Sequence, residues 1–280
     1  MKNGKVIVVG NEKGGTGKST LAMHLIVWFL RSGKTVSSVD LDGRQGTLSH
    51  YIRNRAAYSE NHGVDLGLPE HLSVSIRDDA SAEEKAEDEK TFAGTIERLR
   101  RESDVVIIDT PGSDGALFRT AHETADILIT PINDSLLDLD VLAKVEPESL
   151  LVKAPGRYAQ TVWRARQKRA AEKRPQMQWF VVRNRVMHVA TRNEKVMWKL
   201  LTALGGRIGF TPLAGLGERI IFRELFLKGL TLFDLGGKNA AAKLSAAHLA
   251  ARQELRGILA AIGEDAAPAA NPQKNSPAQG

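Results

Sequence analysis

Residues 11–20, Asn-Glu-Lys-Gly-Gly-Thr-Gly-Lys-Ser-Thr (NEKGGTGKST), follow the apolar run KVIVVG (5–10) and precede LAMHLIVWFL (21–30). A β-branched run ending in glycine, a glycine-rich loop and an apolar stretch long enough for a buried helix spell strand, loop, helix. Gly14, Gly15 and Gly17 let the backbone curl with its N–H groups inward, and a helix opening near Lys18 adds its positive end to the same point. That environment suits a run of phosphates, with Thr16 and Thr20 flanking it. Lys18 is placed to reach the β and γ phosphates of a nucleotide, and the Ser19 hydroxyl to ligate Mg2+. The stretch departs from the strict pattern G-x-x-x-x-G-K-S/T in two ways: Glu12 stands where the first glycine belongs, and a second lysine, Lys13, precedes the Gly-Gly pair.

Working outward, the pattern repeats. VSSVDLD (36–42), VVIIDTPG (105–112), DILITPIN (126–133) and WFVVRNR (179–185) are apolar runs of strand length with polar residues at their C-terminal ends, and TIERLRRESD (95–104) is helical. Strands of this type alternating with helices predict an α/β fold of the P-loop NTPase kind, a mostly parallel twisted sheet with helices on both faces. Ligands in such sheets sit beyond the carboxyl ends of the strands. KLSAAHLAARQELRGILAAIG (243–263) predicts an amphipathic closing helix, with Leu244, Leu249, Leu255, Leu259 and Ile262 on its apolar side. Residues 1–263 are expected to form one domain. The Ala/Pro/Asn/Gln-rich stretch 264–280 is expected to be a disordered tail.

The polar ends of the strands carry the chemistry. Asp109 closes an apolar strand and is followed by Thr110-Pro111-Gly112, which puts a carboxylate beside Ser19 and a turn beside the γ phosphate. Asp40 and Asp42 close the preceding strand. For either alone the cap of a turn is a fair alternative reading; beside a phosphate site, Asp40 is expected to act on the metal and Asp42 to orient water. ATP and Mg2+ are thus the expected cofactors, and Lys18 and Asp42 the expected catalytic group, which the family resemblance given below extends to Lys13.

Composition limits the alternatives. The 280 residues include no cysteine, which removes disulfides, thiolate metal sites, iron–sulfur clusters and cysteine nucleophiles. No stretch approaches the ~20 apolar residues of a membrane span, and a cytoplasmic protein with no membrane partner is expected. The net charge of +6 is unevenly spread. Residues 78–90 carry seven acids against two lysines, a surface helix or a mobile insertion, whereas residues 151–207 carry fourteen Lys/Arg against two Glu. Such a basic block is either a solvated surface or a face for polyanions. Read as the second, it would bind double-stranded DNA without sequence preference, through Arg192, Lys195, Lys199, Arg219 and Arg223 on exposed helix-like segments. His24, His122 and His248 lack metal-ligand spacing, and Trp163, Trp179 and Trp198 are expected to pack rather than stack on bases.

KGGTGKST (13–20), VDLD (39–42) and IIDTPG (107–112) resemble the deviant-Walker-A ATPases of the ParA/MinD group. NDSLLDLD (133–140), RELFLKGLTLFDL (223–235) and HLAARQELR (248–256) further resemble the branch of that family that positions the division plane. The resemblance implies a homodimer that sandwiches two ATP molecules, with Lys13 crossing the interface to the nucleotide of the opposite subunit. It also excuses Glu12, since the family lacks the first glycine, and it places Asn184 where a side-chain amide reads adenine. Partners implied in the same way are a ParB-like centromere-binding protein and FtsZ, whose polymerisation would be inhibited, with location over the nucleoid and at the cell pole. A ParA-type chromosome or plasmid partition ATPase is the rival reading. A metabolic kinase or amidation enzyme would need an acid/base constellation that the sequence does not offer, and a membrane switch would need an amphipathic anchor that the tail does not resemble. With the first strand opening the chain, an N-terminal helix-turn-helix and sequence-specific repression are not expected.

Overall fold

The computed structural model describes residues 2–74, 81–146, 152–187, 192–236 and 244–264, with backbone alone at 192–194. Its centre is β1 (Lys5–Val9), where every side chain from Val6 to Val9 is buried. On one side β1 pairs with β4 (Val105–Asp109), which pairs with β2 (Val36–Asp40), which pairs with the edge strand β3 (Glu70–Ser73). On the other it pairs with β5 (Ile127–Asn133), then β8 (Gln178–Asn184), then β9 (Thr211–Leu213). All of these pairings are parallel, so the sheet reads β3-β2-β4-β1-β5-β8-β9 and all its carboxyl ends lie along one rim. A separate antiparallel pair joins β6 (Ala143–Val145) to β7 (Val152–Pro155).

The alternation of side chains along each strand builds two cores. Ile7, Val9, Ile107 and Ile129 face α1 (Lys18–Arg31), α2 (Thr47–His62), α7 (Ile221–Leu227) and α8 (Ala246–Ala261). Val6, Val8, Ile108 and Leu128 face α3 (Ala82–Glu102), α4 (Ala116–Thr124), α5 (Arg157–Ala171) and α6 (Arg192–Ile208). The predicted α/β class is therefore the observed one.

Several local expectations change. The helix expected at 95–104 begins at Ala82, and the acidic stretch is its first half from there on; residues 78–80 lie outside the described residues. Ser81 accepts the Glu84 N–H while the Glu84 carboxylate accepts the Ser81 N–H. Acids in the first turn then face the positive helix end, so negative charge there favours helix. On α8, Leu249 is 53% exposed while Ala251, Leu255, Ile258 and Leu259 are buried. Leu249 precedes Leu255 by six residues, well short of two full turns, and so points away from the buried stripe. Trp163 is 60% exposed and Trp198 38%, against the expectation of packing; only Trp179 is buried as expected. The buried positions of α5 are Tyr158, Val162, Ala165 and Arg169, a stripe that turns past position 163.

Glu264 is held from three directions, with Lys5, Lys34 and the Trp28 indole N–H on its carboxylate and carbonyl. The rest of the expected tail lies outside the described residues.

Candidate active site

The loop from Gly10 to Gly17 is pinned before it meets any ligand. Asn11 is fully buried, donates to the Pro131 carbonyl at 2.8 Å and accepts the Lys13 N–H at 3.0 Å, which ties the loop to the end of β5. Gly15 and Gly17 adopt φ of 71° and 89°, a left-handed backbone that side chains resist. A Cβ at Gly14 or Gly15 would meet nothing within 4 Å, so the concavity above them is open; a Cβ at Gly17 would lie 2.3 Å from the Asn184 Nδ2. α1 begins at Lys18 with no side-chain cap, leaving its first N–H groups directed at the same concavity.

Glu12 is tolerated because its side chain leaves the loop. Thr161 on α5 donates to it at 3.3 Å and Arg157 stands 3.9 Å away. Burial, and then Asp114, raise its pKa.

The two lysines have different partners. Lys18 is 7% exposed and donates to the Lys13 carbonyl across the loop at 2.9 Å. Burial lowers its pKa, and Asp109 and Asp42 oppose that. Lys13 reaches out to the carboxylate of Asp138, which also accepts the Asn133 N–H at 3.1 Å. Asp138 lies in the short 3-10 turn 136–141 of the NDSLLDLD stretch, and sequence reasoning had no signal for it as a partner of Lys13.

Asp109 is 2% exposed, and its Oδ1 is buried with no hydrogen-bond partner. Burial raises its pKa to about 7, against the Ser19 hydroxyl and Lys18, while Asp40 and Asp42 add to the rise. A buried carboxylate oxygen with nothing to accept from, beside a serine hydroxyl and at the floor of a glycine cradle, is chemistry suited to a hard divalent cation. Ser19 and Asp109 fit the expected metal role. Asp40 does not: its Oδ1 accepts the Asp42 N–H at 3.0 Å, and its Oδ2 accepts the N–H and the hydroxyl of Ser49 at 2.9 and 2.8 Å. It is spent on the loop and on α2, which corrects its assignment to the metal. The Asp42 carboxylate is half-buried and, among the described residues, accepts the Gln45 N–H at 3.2 Å.

Gly112 stands against the loop: a Cβ there would lie 2.9 Å from the Gly14 nitrogen and 3.0 Å from its Cα. The Asp109–Gly112 turn and the phosphate cradle are thus in direct contact. Beyond Gly17, Thr20 and Asn184 open a cleft of about 400 Å3, closed by Leu216, Phe222 and Phe226. Asn184 donates to the Thr16 carbonyl at 2.7 Å and accepts the Arg185 N–H at 2.9 Å, so its amide would have to turn to read a base. The apolar walls of this cleft were missed: Phe226 lies in the RELFLKGLTLFDL stretch (223–235), but nothing there marks it as lining a cleft.

The basic block is less free than its count suggests. Arg183 pairs with Asp134 at 2.8 and 2.9 Å, Arg169 with Asp126 at 3.1 Å, and Arg166 and Arg174 donate to backbone carbonyls. Arg219 is not on a helix; its 9% exposed side chain forms a two-pronged pair with Glu254 on α8. It is an internal strut, which corrects its assignment to DNA. Lys195 and Lys199 are exposed on α6, and Arg223 is exposed on α7 with Glu218 3.9 Å away. Arg192 opens α6, and its side chain lies outside the described residues. The histidines are satisfied in place. His24 bridges the Thr20 carbonyl and the Leu232 N–H, His122 meets the Phe118 carbonyl and the Tyr158 hydroxyl, and His248 closes the cap of α8 with Ser245.

A family model described as ATPase MipZ matches residues 5–265. The putative replication protein A of Sinorhizobium fredii is 30% identical over 167 residues, 48% of this chain and 41% of that protein. The septum site-determining protein MinD of Helicobacter pylori is 29% identical over 151 residues, 48% and 56% respectively. The chromosome-partitioning ATPase Soj of Thermus thermophilus is 30% identical over 149 residues, 49% and 58%. The chain thus spans between 41% and 58% of these curated relatives. Among solved structures, an ATP complex of McdA from Cyanothece superposes with a TM-score of 0.65 at 15% identity, covering 94% of this chain and 98% of that one. MinD with Mg-ADP from Pyrococcus horikoshii gives 0.55 at 15% identity, with coverage of 94% and 98%. At such identity these likenesses show the fold. Among the described residues no helix is long and apolar enough to cross a membrane.

Proposed function

Since the chain belongs to the ATPase MipZ family, we propose that it is a Mg2+-dependent ATPase whose ATP-bound form dimerises, binds duplex DNA without sequence preference and a ParB-like protein, and positions division by inhibiting FtsZ assembly. The observation that carries the nucleotide reading is the orphaned Asp109 oxygen beneath the glycine cradle, with Ser19 and Lys18 beside it. The N–H groups of Gly14, Gly15, Thr16 and Gly17 and the open end of α1 receive phosphate oxygens. Lys18 exchanges the Lys13 carbonyl for the β and γ phosphates, a charge-assisted contact stronger than the neutral one it leaves. Ser19 and Asp109 would hold the metal, which when bound would neutralise phosphate charge. Asp42 accepts a hydrogen bond from the attacking water and turns its lone pair to the γ phosphorus. The cleft beyond Thr20 houses the nucleoside, with Asn184 at its mouth.

Lys13 must leave Asp138 to reach a nucleotide in the opposite subunit. Size-exclusion chromatography with ATP, ADP and no nucleotide tests this. The wild type is expected to dimerise with ATP alone, Lys18→Ala to lose nucleotide binding, and Lys13→Ala to bind nucleotide as a monomer. A Lys13→Ala variant that dimerises normally with ATP sinks the trans role.

For DNA, the exposed cations among those expected are Lys195 and Lys199 on α6 and Arg223 on α7, the last with Glu218 3.9 Å away. Charge reversal at each is expected to weaken binding to two unrelated duplexes alike and to reduce the slope of log K against log salt by about 0.9. A strong preference for one duplex, or binding indifferent to ATP, is the contrary outcome. Location over the nucleoid and at the pole would follow from these two partners. The ParA-type partition reading, favoured by the Soj relative, is separated by light scattering of FtsZ: assembly that ignores the ATP-bound protein selects partition.

A further inference from the structure

The loop that carries Asp42 runs from the end of β2 to the start of α2 and opens that helix on Gly46, in a left-handed conformation with φ of 54° and no side chain to cap the helix. Asp40 supplies the cap from a distance: its Oδ2 takes the Ser49 N–H, in the first turn of α2, and the Ser49 hydroxyl, while its Oδ1 takes the Asp42 N–H. One buried carboxylate therefore grips both ends of the loop. Asp42 adds two bonds inside it, accepting the Gln45 N–H on its carboxylate and the Gly46 N–H on its carbonyl.

A second layer lies behind Asp40. His71, on the edge strand β3, places Nε2 2.9 Å from the Ser49 hydroxyl and Nδ1 2.9 Å from the hydroxyl of Ser38, its register neighbour on β2. Counting protons assigns the directions. A carboxylate has none to give, so the Ser49 hydroxyl proton lies on the contact to Asp40. The contact between Ser49 and His71 must then take its proton from Nε2, and Nδ1 accepts from Ser38. Burial lowers the His71 pKa, with Asp40 opposing and Arg53 adding to the effect, in keeping with a neutral ring bearing its hydrogen on Nε2. Were the ring to protonate, Nε2 would still donate, so this relay does not depend on the charge of His71.

We propose that His71 is a positioning residue for ATP hydrolysis: its Nε2–H fixes the Ser49 hydroxyl so that its proton points at Asp40, and Asp40 thereby holds the loop that presents the Asp42 carboxylate to water. The inference rests on the reading of Asp42 as the water-orienting group. Without the Nε2 donor the Ser49 oxygen is held only by its own bond to Asp40, that contact is less firmly fixed, and the Asp42 carboxylate samples positions away from the reacting centre. Misplacement of this kind costs rate and leaves ground-state binding alone.

The test uses the full chain, with single-turnover release of labelled phosphate from ATP and Mg2+, equilibrium binding of a fluorescent ATP analogue, and a melting curve for each variant. His71→Leu and Ser49→Ala are each expected to lower turnover roughly tenfold, with nucleotide affinity and melting temperature unchanged. His71→Gln keeps an N–H donor within reach of Ser49 and should recover most of the rate. In an Asp42→Ala background, His71→Leu should cost nothing further, since the group it positions is gone. Should His71→Leu melt early, Ser49→Ala breaks the same relay from α2 and is carried through the same cycle. Equal losses in both backgrounds, or no loss from either single variant, overturn the proposal while leaving Asp42 in its role. Wild-type turnover by Asp42→Ala alone would instead remove the reading on which the proposal stands.

Discussion

Asp109 and Asp234 are both buried carboxylates that follow apolar stretches, and they are built in opposite ways. Asp234 receives the two arms of Arg55 at 2.8 and 2.9 Å and the N–H and hydroxyl of Thr231 at 2.7 and 2.8 Å. Burial alone would raise its pKa, but Arg55 and Thr231 more than offset that and hold it low. Asp109 has an oxygen with no partner, and burial drives its pKa up to about 7. A satisfied carboxylate, tying α2 to the turn before α8, is structural; an unsatisfied one at a strand end stores an unmet demand for a cation.

Mutation should separate the two most sharply. Asp234→Ala leaves the Arg55 guanidinium buried and uncompensated, and is expected to cost ~3–5 kcal/mol in a urea melt. Asp109→Asn removes a buried carboxylate whose Oδ1 has no hydrogen-bond partner, so the melt should hold or improve while ATP turnover falls by ~10²-fold or more. A large loss of stability from Asp109→Asn, or none from Asp234→Ala, would erase the distinction.

Acid probes the same boundary between paired and unpaired buried groups. Burial lowers the pKa of His24 and of His122 from 6.5 to about 4 in the fold. Between those values the unfolded chain binds more protons than the native one, so stability is fully present above about pH 6.5 and is lost as pH falls toward 4. Each should contribute on the order of 3 kcal/mol. Denaturant melts at pH 7, 5.5 and 4.5 check it, and a His122→Asn variant with an unchanged pH slope would exempt that residue.

A smaller effect is expected at Gly112. Alanine there would set its Cβ 2.9 Å from the Gly14 backbone nitrogen, so the cradle backbone must shift; ATP binding should weaken about tenfold and the melting temperature should fall with it. Unaltered affinity would mean that the turn and the cradle move independently.

How much of this was legible in the sequence depends on how local each interaction is. The cradle was, because glycine spacing, Lys18 and Ser19 act within one turn of chain after an apolar strand. The parallel sheet was, because its strands are apolar throughout. Asp40 was read as a metal ligand because a strand-end aspartate beside a phosphate loop looks alike whether its oxygens are free; only the fold brings Ser49 to it. Arg219 looked exposed because its partner, Glu254, lies 35 residues on. His71 carried no signal at all, since a four-residue edge strand has too little periodicity to announce itself.

The central place of β1 has a consequence for how the protein is made. Lys5 pairs with Val105 and Ile7 with Ile127, and the Trp28 indole waits for the carbonyl of Glu264. Ribosomes add roughly 5–20 residues per second, so the strand and cradle spend several seconds without the downstream neighbours that bury them. Loop closures of this length make for slow, non-local assembly. The part of the chain most clearly written for nucleotide is therefore made well before the strands that bury it and is among the last to be finished, and the nascent KVIVV segment is where a chaperone would be expected to bind.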